Sequence, residues 1–288
     1  MRTLSLPSRL ARTSCSVLAL ATVLVVGATP AKAQSFQGTG TFFTNGAGPG
    51  AAITTPNSTT TNIAVNPGQT VIDWSPFDVG PGTGTIQFQY SGSTTSFSGS
   101  GNYAVLNRIN PAVSTRSITM DGTIQTLALG FAGASNGSIY FYSPGGIVLG
   151  ANAVINVGSL VLSASPITLD GSNNFIPASN TVTFGQAPNP LARILTTAGS
   201  QINASAGDAY VAMVAPRVEH RGSINVAGSA ALVGAEAATI NFSPDGLFDI
   251  QVTTGTTDAN GVVTNGNITG SASTGAADTP PTDPSTIS

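Results

Sequence analysis

The sequence predicts an all-β chain wound as a solenoid, a parallel β-helix with a hairpin excursion, and three observations lead there. Charged residues make up only 7% of the 288 residues, against about 25% in an ordinary globular chain. Their place is taken by Gly, Ser, Thr and Asn, while an apolar fraction of 41% still provides for a core. No extended i, i+3, i+4, i+7 stripe survives the Gly and Pro residues beyond the first thirty positions, so long helices are not expected. Short alternating runs recur instead, as in Thr85–Tyr90, Ser117–Met120 and Phe248–Val252. The third observation is a repeat. AVINVGSLVLSA (153–164), SQINASAGDAYVA (200–212) and GSINVAGSAALVGA (222–235) each carry an Ile-Asn pair, small residues, then an apolar strand.

Taken in order, the chain opens with Arg2, Arg9 and Arg12, an apolar run from Cys15 to Ala28, and the small-residue exit Ala31-Lys32-Ala33. Those are the three parts of a secretory signal peptide. The run is shorter than the roughly 20 residues a membrane span needs. Residues 1–33 are expected to be removed, leaving Gln34 as the new N-terminus. The remainder holds five arginines, no lysine and twelve Asp plus Glu, a net charge of −7 (5 − 12). Such a chain offers no basic patch for nucleic acid and no cationic helix for a membrane surface. Cys15 is the only cysteine, so the exported part has neither a disulfide nor a thiolate site.

Ile202 and Ile224 are 22 residues apart, and Ile155 and Ile202 are 47 apart. A period of about 20–25 residues built from short strands is a solenoid signature. The longer spacing holds either two coils or one coil with an insertion. Ile240-Asn241 is expected to start a further turn. Inward Ile, Val and Leu would form one apolar column, stabilised by stacking rather than by crosslinks. Asn156, Asn203, Asn225 and Asn241 are expected to form a structural ladder, asparagine being tolerant of left-handed backbone. Residues 165–195 break the pattern; Ile167, Leu169, Val182 and Phe184 suggest a hairpin leaving the solenoid. From Thr253 to Ser288 a Thr, Gly and Pro-rich tail is expected to lack structure.

Chemistry for catalysis is sparse. His220 is the only histidine, within Arg217-Val218-Glu219-His220-Arg221. On an alternating strand Arg217, Glu219 and Arg221 share one face and His220 joins Val218 on the other. A solvated charged face is the expectation; a patch for an acidic sugar is the rival. Asp170, Asp208, Glu219, Glu236, Asp245 and Asp249 are scattered without a D-x-D motif. No metal, cofactor or catalytic residue is expected.

Residues 70–165 resemble the N-terminal secretion domain of two-partner-secretion exoproteins, the filamentous haemagglutinin family. The carrying segments run from Thr70 to Gly80 (TVIDWSPFDVG), through Val105-Leu106-Asn107-Arg108-Ile109 and Ser117–Gly122, to Gly137–Gly150 (GSIYFYSPGGIVLG) and Ala153–Ala164. Asn107-Arg108-Ile109 is similar to the family's LNRV motif. Ser143-Pro144-Gly145-Gly146-Ile147 stands where the family has Asn-Pro-Asn-Gly-Ile, both asparagines being replaced. Glycine can stand in for asparagine where a positive φ is needed.

The resemblance implies a right-handed β-helix with an N-terminal cap over residues 34–252. It implies that Asn107, Arg108, Ile109 and Ser143–Ile147 belong to the secretion signal. It also implies an outer-membrane transporter of the Omp85 type, whose periplasmic domains bind by strand addition. The product would then be secreted or surface-bound in a Gram-negative bacterium and act as an adhesin toward a host or cell-surface carbohydrate or protein. Two rivals stand beside this: a β-helical polysaccharide-active enzyme using the Arg217–Arg221 patch, and an exoprotein retaining only its secretion domain.

Overall fold

A computed structural model describes residues 35–43, 51–77, 84–112, 115–128, 137–176, 179–242 and 248–270. The expected signal peptide lies outside the described residues, among which no helix is present. Two strands, β1 (Gly38–Phe43) and β2 (Ala51–Asn57), precede the first coil, which is β3 (Thr60–Val65), β4 (Gly68–Pro76) and β5 (Ile86–Gln89). The second coil is β6 (Thr94–Gly99), β7 (Tyr103–Ile109) and β8 (Ile118–Met120); the third is β9 (Thr123–Ala128), β10 (Gly137–Tyr142) and β11 (Gly146–Leu149). The fourth runs through β12 (Val154–Val157) and β13 (Ser159–Ser163), leaves the solenoid for an excursion carrying β14 (Thr181–Phe184), and closes with β15 (Arg193–Thr196). The fifth is β16 (Gln201–Ala204), β17 (Tyr210–Ala215) and β18 (Arg217–His220). The sixth is β19 (Ser223–Val226), β20 (Ser229–Phe242), the hairpin partner β21 (Phe248–Gly255) and β22 (Val262–Thr264), after which β23 (Asn267–Gly270) starts another.

Equivalent strands of successive coils pair in parallel and build three sheets, β3-β6-β9-β12-β16-β19-β23, β4-β7-β10-β13-β17-β20 and β5-β8-β11-β15-β18-β22. This is the expected parallel β-helix. The first coil is closed off by antiparallel strands, β1 on β4 and β2 on β3.

Register converts strand alternation into columns, because identical faces stack one coil above another. Ile124, Ile155, Ile202 and Ile224 are partners in turn, each no more than 1% exposed. The intervals are set by what each coil must enclose. Thr60, Thr94, Thr123 and Val154 are 34, 29 and 31 residues apart. Only Gln201 to Ser223 shows the 22-residue period read from the sequence. The 47-residue interval between Val154 and Gln201 is one coil plus the excursion.

A second core lies on the outer face of the β4–β20 sheet. There Leu106, Tyr140, Val161 and Val214 are covered by Phe175, Val182, Phe184 and Ile240, all buried. Strand β14 pairs antiparallel with the far half of β20, Val182 beside Ile240 and Thr181 beside Asn241. Ile240-Asn241 therefore does not start a coil: apolar burial under the excursion draws β20 past its corner. The equivalent position in the next coil is Ile268. Gln69 fixes the other end of the excursion, accepting from Phe175 N at 3.0 Å and Ile176 N at 2.8 Å and donating to Ile176 O at 2.6 Å.

Residues 253–270, read from composition as part of a tail, continue as the end of β21 and as β22 and β23. Pairing to β18 and β19 supplies the partners that composition cannot reveal. Residues beyond 270 lie outside the described residues.

Candidate secretion-signal site

Strand β7 carries Asn107, Arg108 and Ile109, and alternation sends them to different surroundings. Asn107 and Ile109 point into the solenoid, each 0% exposed. A buried carboxamide must be bonded, since an orphaned one costs about 1–3 kcal/mol. Trp74 Nε1 donates to Asn107 Oδ1 at 3.0 Å, and Asn107 Nδ2 donates to Tyr140 O at 3.2 Å. Asn107 thus ties three consecutive coils together from inside. Around it Phe36, Trp74, Phe88 and Phe141 pack edge to face or tilted, with centroids 4.7–6.1 Å apart.

Arg108 faces outward. Asp73 is its direct neighbour on β4, and its guanidinium grips that carboxylate with two bonds, Nε to Oδ1 at 2.5 Å and Nη2 to Oδ2 at 2.8 Å. Tyr142 adjoins Arg108 in register. Burial raises its phenol above the ordinary value, and the nearby Arg108 charge opposes that rise. Asp73 is a member of this site that motif reading missed. The available signal is that Asp73 and Arg108 each directly precede an inward aromatic or aliphatic residue, Trp74 and Ile109, one coil apart.

Ser143–Ile147 forms the corner between β10 and β11. Gly146 N donates to Ser143 O at 3.0 Å and Ser143 N to Ser163 O at 3.0 Å. Gly146 has φ +98°, where only glycine is unstrained. Gly145, which replaces the family's asparagine, does not have a positive φ. It is glycine here for another reason: a Cβ would stand 1.9 Å from Arg116 O of the coil before. The turn survives the loss of both asparagines through close backbone approach. All five residues of this segment are buried, Ser143 and Ile147 completely.

The other candidates separate. Val218 and His220 face inward, both 0% exposed. Thr196 Oγ1 lies 2.7 Å from His220 Nδ1, and Nε2 lies 3.3 Å from Asn267 O. The imidazole therefore joins three coils from inside and does not reach the face that carries Glu219. That face is not simply solvated: Glu219 is 3% exposed beneath arginines. The asparagine ladder exists on the outer surface, Asn203 Nδ2 donating to Asn156 Oδ1 at 2.8 Å, with Asn225 next in register. Asn241 is not part of it. Among the described residues no cluster of His, Cys, Asp and Glu could hold a metal.

A capped parallel β-helix with a hairpin strapped over one face defines the class. Residues 37–280 match the TPS secretion domain family, and the chain belongs to it. That family marks proteins exported from Gram-negative bacteria by two-partner secretion, with an outer-membrane transporter as the second partner. The secretion domain of HMW1 from Haemophilus influenzae shares the fold, with a TM-score of 0.57 and 19% identity over 81% of this chain and 53% of that one. The present chain thus spans about half the length of that structure. No curated protein sequence matches it.

Proposed function

We propose that the motif residues are read by the transporter before the β-helix forms, by strand addition to the extended chain, and that the chain folds outside the cell as a surface adhesin. The observation that carries the reading is burial. Asn107, Ile109, Ser143 and Ile147 offer no accessible surface once coiled, so only an unfolded chain can present them. Backbone hydrogen bonding with pockets for alternate side chains suits such an encounter. The same burial makes them the interior of the first coils to emerge, so one sequence serves both recognition and nucleation.

A crosslink between coils tests this. Gln125 and Asn156 are partners in adjacent coils, within the separation a disulfide spans. The Gln125→Cys/Asn156→Cys variant should be held in the periplasm under oxidising conditions and released on reduction. Normal export of the oxidised protein sinks the proposal. The adhesin part is checked separately, by attachment of the purified chain to cell surfaces.

A further inference from the structure

Five arginines follow residue 33, and three of them meet at one carboxylate. Strands β15 and β18 are parallel neighbours, with Arg193 beside Arg217 and Leu195 beside Glu219. Glu219 points to the outer face between Leu195 and Val263, its side chain only 4% exposed. Arg217 Nη2 donates to Glu219 Oε2 at 3.4 Å, and Arg193 Nη1 stands 4.0 Å from the same oxygen. Arg221 Nη2 donates to Oε1. Arg217 Nη1 also lies 3.8 Å from Asp258 Oδ2. The side chains of Arg193, Arg217 and Arg221 remain 48%, 31% and 55% exposed.

Donors exceed acceptors here. Each guanidinium has five N–H groups, whereas a carboxylate accepts at about four positions. Arg217 Nε is buried without an acceptor. A carboxylate sunk this deeply is a poor way to gain stability, since an apolar residue of similar volume commonly does as well or better. Its neighbours along the strand ladder, Leu195 and Val263, are apolar. What Glu219 does achieve is to hold three like charges together, each guanidinium left partly open to water. Counting Asp258, the cluster carries +1 (3 − 2) on a chain whose exported part is at −7. The outer ladder leading to it from earlier coils, Gln87, Thr119, Val148 and Leu195, contains no charge.

We infer that Glu219 with Arg193, Arg217 and Arg221 forms a binding site for a saccharide chain bearing an oxyanion, whose carboxylate or sulfate docks on the outward forks of Arg193 and Arg221. Guanidinium forks match the two oxygens of such a group. The uncharged flat track beside them suits the neutral stretches of a glycan. The strongly negative remainder of the chain repels densely charged polymers such as nucleic acid. The site deepens the adhesin reading by naming a ligand class, but binding by the purified chain is independent of export, so either can fail alone.

The purified chain lacking residues 1–33 is passed over an immobilised glycan in which uronate alternates with neutral sugar, a sparsely sulfated galactan and a neutral galactan. Retention by at least one acidic polymer and not by the neutral one is expected, and the two acidic arms tell carboxylate from sulfate. Arg193→Lys/Arg221→Lys keeps the charge but loses the forks, and should weaken retention by about tenfold or more. Thermal melting checks folding; Arg221→Lys alone, at the most exposed position, replaces the double variant if that one melts early. No retention on either acidic polymer, or equal retention by the lysine variant, overturns the inference.

Discussion

The two ends of the solenoid are built differently. At the first coils the interior is aromatic: Phe36, Trp74, Phe88, Phe97 and Phe141 are all fully or almost fully buried, and antiparallel β1 and β2 cover the edges that stacking would leave open. Among the described residues of the last coils the interior has no aromatic ring except His220 and is lined by aliphatic residues such as Ile202, Val218, Ile224 and Val226, and it ends on β22 and β23, where Val262 and Ile268 are 44% and 41% exposed. The difference teaches that stability is distributed by position in the stack, since each coil depends on its neighbours for burial.

Substitutions along this gradient should separate the ends. Trp74→Ala removes the largest buried side chain and the donor to Asn107, and should cost about 3–5 kcal/mol in urea unfolding. A loss similar to that of a surface mutation would mean that the aromatic end does not anchor the stack. Ile155→Ala, in the middle of the isoleucine column, should cost about 2–5 kcal/mol. Ile268→Ala is the same change in the same column at the open end. It should stay within about 0.5 kcal/mol, as exposed sites do. Equal costs for the two isoleucines would show that the final coil is as closely packed as the centre.

The solenoid was legible because its signals are local and repeated. Ile155, Ile202 and Ile224 announce one column, and their asparagines lie in register on the other face. The hairpin excursion was also legible, since Val182 and Phe184 alternate inside a stretch that fits no coil. What the excursion does was not legible, because its partners Gln69, Tyr140 and Ile240 are distant in sequence. Ile240-Asn241 misled for the same reason: an Ile-Asn pair looks alike in a coil and in an antiparallel extension, and only the covering hairpin decides. The Asn107-Arg108-Ile109 motif was readable as a pattern, but the bonding that lets Asn107 be buried depends on Trp74 of the preceding coil. The arginine cluster needed Arg193, 24 positions from Arg217, and nothing in the spacing reveals that β15 and β18 share a register. Residues 253–270 failed on composition alone: Thr, Gly and Asn form strands there because an edge is waiting for them.

The excursion also bears on how the molecule comes apart. A plain stack can unravel one coil at a time from its open end, each loss independent of the coils beyond its neighbour. Here the strap is bonded to Gln69 in the first coil and paired with β20 in the sixth. Peeling β20 away strips the cover from Tyr140 and Leu106 in the third and second coils. Loss at one end is thereby felt near the other, and a linear array behaves as a single cooperative unit. Under a pulling force along its axis, it should give way in one large step rather than as a series of small ones.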